Sequence, residues 1–505
     1  MGEAMKPLTL EEVVAATEGT CDRPVPAGSV ARVVSDSREI RPGDLFVAIR
    51  GARMDGHDFV GKALAAGAVG ALVRDDFDLA SVGPAAGSSP GAAVIRVDDP
   101  VAAMGRLARH YRRTAMAGSV TVVAVTGSNG KTTTKTMIAH VLSARWRGRG
   151  SIKSYNNAIG VPLTLLAVEP SEEFVVCEVG TSAPGEIAAL TRIVEPEVAV
   201  ITGVSEAHLE GLGSLEGIAR EKSDLLRYMR ADGCGIYNAD CQVLAGVIRS
   251  DYDLRRSRLL TFGRCPEADL RLTDMRVEAG DPAGGVPAGM VFTVNDRFTY
   301  RLGVLGRHNV VNAMAAIAVA RRFGMDHDEI AARLAGVELP PLRLQLERLD
   351  RITLINDCYN ANPASMSAAL DVLTDMPATG RRVLIVGDML ELGADSERLH
   401  REFGERIGGS QVDLVVAVGE NARTIRQAVE RSGGGRIAVR AYAGTRSART
   451  HVPGLLRPGD TVLIKGSRAL ALERVVERIR EWACRPGRAG AARRSSGPAR
   501  RRASA

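Results

Sequence analysis

The stretch VTGSNGKTTTKT, Val125 to Thr136, decides how the rest of the chain is read. Ahead of it, SVTVVAV (Ser119 to Val125) is dense in β-branched residues, the composition of a buried strand. Behind it, Met137, Ile138, Val141 and Leu142 recur at helical spacing, which predicts a helix from near Gly130. A strand, a glycine loop and a helix N-terminus in that order aim backbone N–H groups and the helix dipole at an anion. Gly127 and Gly130 let the backbone approach closely, Lys131 reaches the terminal phosphates, and Thr132 offers its hydroxyl to magnesium. The residues expected to hold ATP are therefore Gly127, Ser128, Asn129, Gly130, Lys131, Thr132 and Thr133. The spacing is Gly-x-x-Gly-Lys-Thr, with Val125 where the longer P-loop form has its first glycine.

Lysine usage sharpens this. Of 66 basic residues only seven are lysine: Lys6, Lys62, Lys131, Lys135, Lys153, Lys222 and Lys465. Arginine is a permanently charged planar fork, whereas lysine is a compact charge that can act as a neutral amine. Lys131, Lys222 and Lys465 fall in segments that look functional on other grounds, while Lys6 and Lys62 have no such context.

At 505 residues the chain has room for about three domains, and 45% hydrophobic content supplies their cores. Apolar runs reach only strand length, so no membrane span is expected. The opening MGEAMKPLTLEEVVAATEG is acidic and amphipathic, unlike the apolar block of a signal peptide. Seven scattered cysteines without a C-x-x-C pair predict reduced thiols, a cytoplasmic protein and no zinc site. The formal charge of +7 resides in residues 485–505, RPGRAGAARRSSGPARRRASA, which hold seven arginines and no acid. That tail reads as disordered, and the neutral remainder calls for no nucleic-acid partner.

Three α/β blocks emerge. Residues 1–112 show short strands and glycine turns, with DLASVGPAAGSSPGAA as a flexible surface loop. Residues 113–339 string together strands with a polar residue at each C-terminal end: EEFVVCEVG ends in Glu178, PEVAVITGVSEAH leads to His208, and GCGIYNAD leads to Asn238 and Asp240. In an open parallel sheet, ligands sit beyond the carboxyl ends of the strands. A small antiparallel insert is expected over 265–305. Residues 340–483 repeat the pattern in RITLINDCYNANP, RRVLIVGDMLELG, VDLVVAVGENA and DTVLIKGSRAL, a Rossmann-like topology without the G-x-G-x-x-G of a dinucleotide site. Magnesium prefers one or two carboxylates beside phosphate and water, which makes Glu178 its natural ligand. Read alone, Lys222 is a solvated helix residue and His208 a structural histidine.

The string TGSNGKTTTK, with YNNAIGVPLTLL (155–166), EVGTSAPGEI (178–187), EAHLEGLGS (206–214) and GRHNVVNAMAAIAVA (306–320), resembles the Mur ligase family in order and spacing. Those are ATP-dependent amino-acid and peptide ligases of bacterial wall-precursor synthesis. The resemblance covers nearly everything but the tail. NDCYNANPASM (356–366), GDMLELG (387–393) and KGSRALALE (465–473) are similar to the branch that joins D-alanyl-D-alanine to UDP-N-acetylmuramoyl tripeptide. SDSREIRPGDLFVAIRG with MDGHDF is similar to the family's UDP-substrate domain.

The resemblance implies three domains: an N-terminal UDP-muramoyl domain (1–112), a central P-loop ATP domain (113–339) and a C-terminal Rossmann-like ligase domain (340–483), followed by the tail (484–505). It implies a monomer that transfers the γ-phosphate of ATP to the tripeptide carboxylate and lets the dipeptide amine attack the acyl phosphate. Two magnesium ions are implied, held by Thr132, Glu178, His208 and Lys222, the last as a carbamate; a free Lys222 paired with a carboxylate is the alternative. Lys131, Lys222, His208 and Glu178 would be catalytic. Asn309 and Asn312 match adenine-side positions, or else cap a helix. Asp357 matches a nucleotide position, and Asn157, Tyr359, Asn360, Asp388, Glu391 and Lys465 match substrate positions. Ser37 and Arg38 would meet the uridine diphosphate end. Many relatives carry Gly-Arg in the linker before the last domain; here LPPLRLQLERL supplies Arg343 without the glycine. The rival readings are a sister ligase adding one amino acid, a folylpolyglutamate-synthase-like ligase, and a P-loop ATPase switch.

Overall fold

The computed structural model describes residues 5–78, 92–152, 154–206, 209–255, 258–278, 280, 288–378 and 380–484. The arginine-rich tail 485–505, most of the loop DLASVGPAAGSSPGAA, Lys153 and His208 lie outside them. The chain forms two compact units, the first of residues 1–344, 362–376 and 389–399, the second of the remainder.

In the first unit, a five-stranded sheet runs Thr20–Cys21, Ala93–Val97, Gly70–Arg74, Asp44–Val47, Arg32–Val34, parallel except for the first strand. Helix Pro100–Thr114 follows it, capped by the Asp99 carboxylate on the Val101 and Ala102 amides. This helix crosses the 112/113 division read from the sequence. Its buried Arg112 donates to the Val194 and Glu195 carbonyls and to the Glu197 carboxylate, fixing the helix against the loop before strand Val198–Ile201.

The nine-stranded sheet of the same unit places the P-loop strand Thr121–Thr126 between Phe174–Glu178 and Val198–Ile201, parallel to both. All three are buried on both faces, which explains their unbroken apolar runs. The chain leaves the P-loop strand toward Gly148–Gly150 and Phe174–Glu178 on one side, then crosses to Val198–Ile201 on the other. That reversal is a topological switch point, which opens a crevice at the strand ends. The antiparallel pairs expected over 265–305 are strands Leu270–Glu278, Gly289–Val294 and Phe298–Leu302. They do not stand apart: Leu270–Glu278 continues the large sheet beside Arg258–Gly263. Helix Arg307–Arg322 buries eleven of its sixteen residues, mostly alanine and valine, so it lies close on the P-loop helix Lys131–Leu142.

In the second unit, six strands run Gln345–Arg348, Thr353–Asp357, Thr461–Lys465, Arg382–Gly387, Leu414–Val418, Ala438–Tyr442, parallel save the first, an edge strand. The seven cysteines are free thiols.

Candidate active site at the P-loop crevice

Strand Thr121–Thr126 delivers the loop, and helix Lys131–Leu142 starts at Gly130, which is left-handed with φ 80°. Both glycines are required by their surroundings. A Cβ on Gly130 would lie 2.2 Å from Asn312 Oδ1, and one on Gly127 only 1.9 Å from Thr202 Oγ1. Gly130→Ala adds left-handed strain of about 1–2 kcal/mol to that clash. It is expected to raise KM for ATP roughly tenfold, a rise that steady-state kinetics would show.

The loop is stitched to its neighbours. Ser128 N donates to Gly203 O at 3.0 Å and Ser205 N to Ser128 Oγ at 3.0 Å, while Thr202 Oγ1 donates to Asn129 O at 2.5 Å. Asn129 Nδ2 donates to Ser205 Oγ at 2.8 Å, and its Oδ1 accepts from Asn362 Nδ2 at 2.7 Å. None of Thr202, Ser205 and Asn362 stands out in the sequence, because each acts through a partner distant in the chain.

Thr132 and Glu178 meet directly. Thr132 Oγ1 donates to Glu178 Oε2 at 2.8 Å, Asn156 Nδ2 donates to Glu178 Oε1 at 3.0 Å, and Glu178 is 1% exposed. Lys135, one turn past Lys131, donates to Ser151 O at 2.8 Å and stands 3.6 Å from Glu178 Oε2. It was visible as a rare lysine but its role was not. Lys131 Nζ donates to Gly127 O at 2.8 Å. Burial pulls the Lys131 ammonium below the usual lysine range, the Arg343 charge adds to this, and Glu178 opposes it. Arg343 Nη2 donates to Thr132 Oγ1 at 3.0 Å. The missing glycine has a structural counterpart: Leu342 adopts φ 65° and Leu344 φ 45°, so leucines bear left-handed strain on both sides of Arg343.

Lys222 is no solvated residue: on helix Leu215–Arg227 it is 1% exposed. Burial pushes its ammonium down to about 7, with the Lys131 charge adding and Glu221 opposing. Glu221 itself accepts from the Gly185 and Ile187 amides. Among the described residues no carboxylate comes within ion-pair distance of Lys222, so the paired-lysine alternative finds no partner there.

Asn309 and Asn312 are buried, and their amides turn inward: Asn309 Nδ2 donates to Leu305 O at 2.7 Å and Asn312 Nδ2 to Asn309 Oδ1 at 3.2 Å. Neither caps its helix, whose N-cap is Gly306. Asn157 Oδ1 accepts from the Ile159 and Gly160 amides, which starts helix Gly160–Leu165.

Ser37 and Arg38 line a cavity of about 1140 Å³ together with Met54 and Tyr155. Arg38 is bonded to Asp36 at 2.6 Å and holds that carboxyl down at about 2. Arg41, Arg53 and Lys62 also line it and form no ion pair among the described residues, which leaves three cations for an anionic ligand. Lys62, without context in the sequence, thus gains one.

In the second unit, Lys465 Nζ meets Asp357 Oδ2 at 2.6 Å, from paired positions on adjacent strands. The two were expected to serve different ligands; the fold makes them one buried ion pair. Removing one partner strands the other charge, so Lys465→Met is expected to cost about 2 kcal/mol, read by chemical denaturation. Asp388 follows strand Arg382–Gly387. It is 4% exposed, its oxygens accept from the Glu420 and Asn421 amides at 2.7 and 3.0 Å, and His400 stands 4.0 Å away. The carboxylate ties two strand ends together. Tyr359 is half-buried and Asn360 exposed, just past strand Thr353–Asp357. Glu391 is exposed with φ 62° and belongs to the first unit.

Among the described residues no cluster of three His, Cys, Asp or Glu is built for a metal. The Thr132 hydroxyl and Glu178 carboxylate, already in contact, are hard oxygen donors. They fit magnesium, which completes its shell with water and phosphate.

Comparison with known proteins supplies the family. Residues 29–112 match the model of the Mur ligase family catalytic domain, 125–320 that of the Mur ligase middle domain, and 342–468 that of the Mur ligase glutamate ligase domain. The UDP-N-acetylmuramoyl-tripeptide–D-alanyl-D-alanine ligase of Bacillus subtilis is 35% identical over 94% of this chain and 98% of its own. That of Escherichia coli is 36% identical over 89% and 93%. A crystal structure of MurF from Acinetobacter baumannii superposes with a TM-score of 0.83 at 29% identity, covering 95% of this chain and all of the other. MurF ligase from Thermotoga maritima in complex with ADP gives 0.74 at 29% identity, over 90% and 97%.

Proposed function

The chain belongs to the Mur ligase family, and we infer that it joins D-alanyl-D-alanine to UDP-N-acetylmuramoyl tripeptide at the expense of ATP, giving the pentapeptide precursor of peptidoglycan. The observation that carries this is the Thr132–Glu178 contact beside Lys131, at the switch point of a parallel sheet. A hydroxyl, a carboxylate and an ammonium gathered there suit phosphoryl transfer, where positioning and charge do the catalytic work.

The γ-phosphoryl group leaves ADP for an oxygen of the tripeptide carboxylate. The dipeptide amine then attacks the carbonyl carbon, the bond to phosphate oxygen breaks, and the amine loses a proton as the amide forms. Lys131 turns from Gly127 O to the transferring phosphoryl oxygens, and the loop amides hold the phosphates that remain. Arg343, on Thr132, adds a second cation. Thr132 and Glu178 would hold magnesium, with His208 and Lys222 completing a two-ion site. Magnesium, when bound, disperses the negative charge of the phosphoryl group.

Lys222 serves as a carbamate. Its burial, its near-neutral amine and the absence of an ion-pair carboxylate among the described residues support this. Arginine could not take carbon dioxide, which gives a reason for lysine here. Ser37 and Arg38 bind the uridine diphosphate end, and Asn157, Tyr359, Asn360 and Glu391 lie along the substrate path. The boundaries between substrate, ATP and ligase domains are placed at 112/113, within the last turn of helix Pro100–Thr114, and at 339/340. It acts as a monomer in the cytoplasm; among the described residues no helix is long and apolar enough to cross a membrane.

The test is phosphate release from ATP with both substrates, omitting each in turn, with the product weighed by mass spectrometry. Release that needs both and yields pentapeptide is expected. Release indifferent to the dipeptide would point to a sister ligase or an ATPase switch.

A further inference from the structure

A second cavity, of about 660 Å³, reaches the P-loop, and Ser37 and Arg38 are not in its lining. Lys131 and Asn157 line it. Its wall is made by two helices, Ala102 and Gly105 of Pro100–Thr114 facing Ala189 and Ile193 of Glu186–Val194. The reaction above uses Lys131 and Asn157 of its lining but not this helix wall.

We propose that this cavity is the subsite for the side chain of the tripeptide's third residue, and that it reads the length of the aliphatic stem and not the charge at its end. The inference rests on the ligase reading.

The first argument is connectivity. The carboxylate that must reach the phosphoryl group beside Lys131 is borne by the α-carbon of the third residue. The side chain of that residue therefore leaves within two bonds of the reacting carbon and needs room next to Lys131. The larger cavity is committed to the nucleotide-sugar end and Lys131 is not in its lining, so the helix-walled cavity, which Lys131 does line, is the space for that side chain. The second argument is the chemistry of its wall. Ala102, Gly105, Ala189 and Ile193 offer hydrocarbon, which suits a stem of several methylenes.

The charged residues around the cavity are committed elsewhere. Arg106 donates to Asp98 at 2.6 Å and to Thr17 O at 2.9 Å, and Arg109 pairs with Glu195 at 3.1 Å. The Arg192 guanidinium lies over the Tyr228 ring, 3.8 Å from its centroid. Glu186 accepts from the Ser182 and Ala183 amides, and Asp99 caps its helix. These side chains are held by the protein's own groups and not turned to the end of the stem, so a stem ending in an ammonium and one ending in an ammonium and a carboxylate are expected to be treated alike.

The full-length enzyme is assayed for kcat/KM with UDP-muramoyl tripeptides ending in lysine, diaminopimelate or alanine. Each methylene withdrawn from water is worth about fourfold. Wild type is therefore expected to use the two long residues within about fivefold of each other and alanine roughly 10- to 50-fold less well. Ala102→Leu and Ala189→Leu, both at exposed helix positions, fill the cavity. In the double variant the long-to-short ratio is expected to fall to near one, with the loss in KM for the tripeptide and not in KM for ATP. The single Ala102→Leu variant is expected to move the same way by a smaller factor. A ratio unchanged in both variants, or a wild type that prefers one long residue more than fiftyfold, would overturn the proposal. No pentapeptide from wild type with any tripeptide would overturn the ligase reading and the subsite with it.

Discussion

Lys131→Met is expected to lower kcat/KM for ligation by about 10³-fold, measured as phosphate release coupled to pentapeptide formation, while thermal unfolding stays close to wild type. Removing one preorganised donor from a site of developing charge typically costs 10²–10³. Lys131 stands at the upper end because it opens the P-loop helix, where its ammonium adds to the dipole and the loop amides. In this structure the ammonium rests on Gly127 O, a partner inside the loop, so a γ-phosphate can displace that contact without unfolding anything. Arginine should not rescue: its wider planar fork cannot occupy a buried place fitted to a compact charge, already under the repulsion of Arg343. An activity within tenfold of wild type in Lys131→Met would refute the assignment of the loop to phosphoryl transfer.

The second large effect concerns Lys222. On the proposed carbamate role, replacement by methionine or arginine is expected to lower kcat by about 10²-fold, since the charge proposed to help place the metal would be lost. The wild-type enzyme carries a signature neither variant can show. Its Lys222 amine titrates at about 7 instead of 10.5, so at pH 8 it is mostly neutral, where an exposed lysine is roughly 0.3% neutral. Lowering the pH through 7 protonates the amine and removes the group that takes up carbon dioxide, so activity falls on the acid side. The linkage has the same sign. The folded state gives up this proton above pH 7 and the unfolded state only near 10.5, so the cost of burying Lys222 is greatest below 7 and is relieved as pH rises between the two. Stripping carbon dioxide at pH 8 should reduce activity, and bicarbonate should restore it. Indifference to bicarbonate, together with a Lys222→Met variant within fivefold of wild type, would count against the carbamate.

The two effects depend on different kinds of information. Lys131 could be placed from neighbours in the chain, because strand, loop and helix follow one another within a dozen residues. Lys222 could not. On helix Leu215–Arg227 its neighbours Glu221 and Arg220 are charged, so local pattern describes an exposed face, and family resemblance alone singled it out. Its burial comes from elements far away in sequence. Asp388 likewise has contacts that local pattern does not show. A carboxylate at a strand end looks like a ligand-facing group, but the amides of Glu420 and Asn421 arrive from the next strand's loop and occupy it.

What the sequence determined by itself was the parallel α/β class, through doubly apolar strands followed by helices, and the phosphate loop, through glycines at positions where a Cβ cannot stand. It also showed that the charge excess belongs to a tail and not to the neutral body. These are local properties, fixed by backbone sterics and by the period of side chains along one element. The tertiary structure alone decided which polar groups satisfy one another: Thr132 on Glu178, Arg343 on Thr132, Asn362 on Asn129, and Lys465 on Asp357. Such pairs form between residues as many as 233 positions apart, where no periodicity reaches. A hydrogen bond has a length and a direction but leaves no mark on the sequence between its partners.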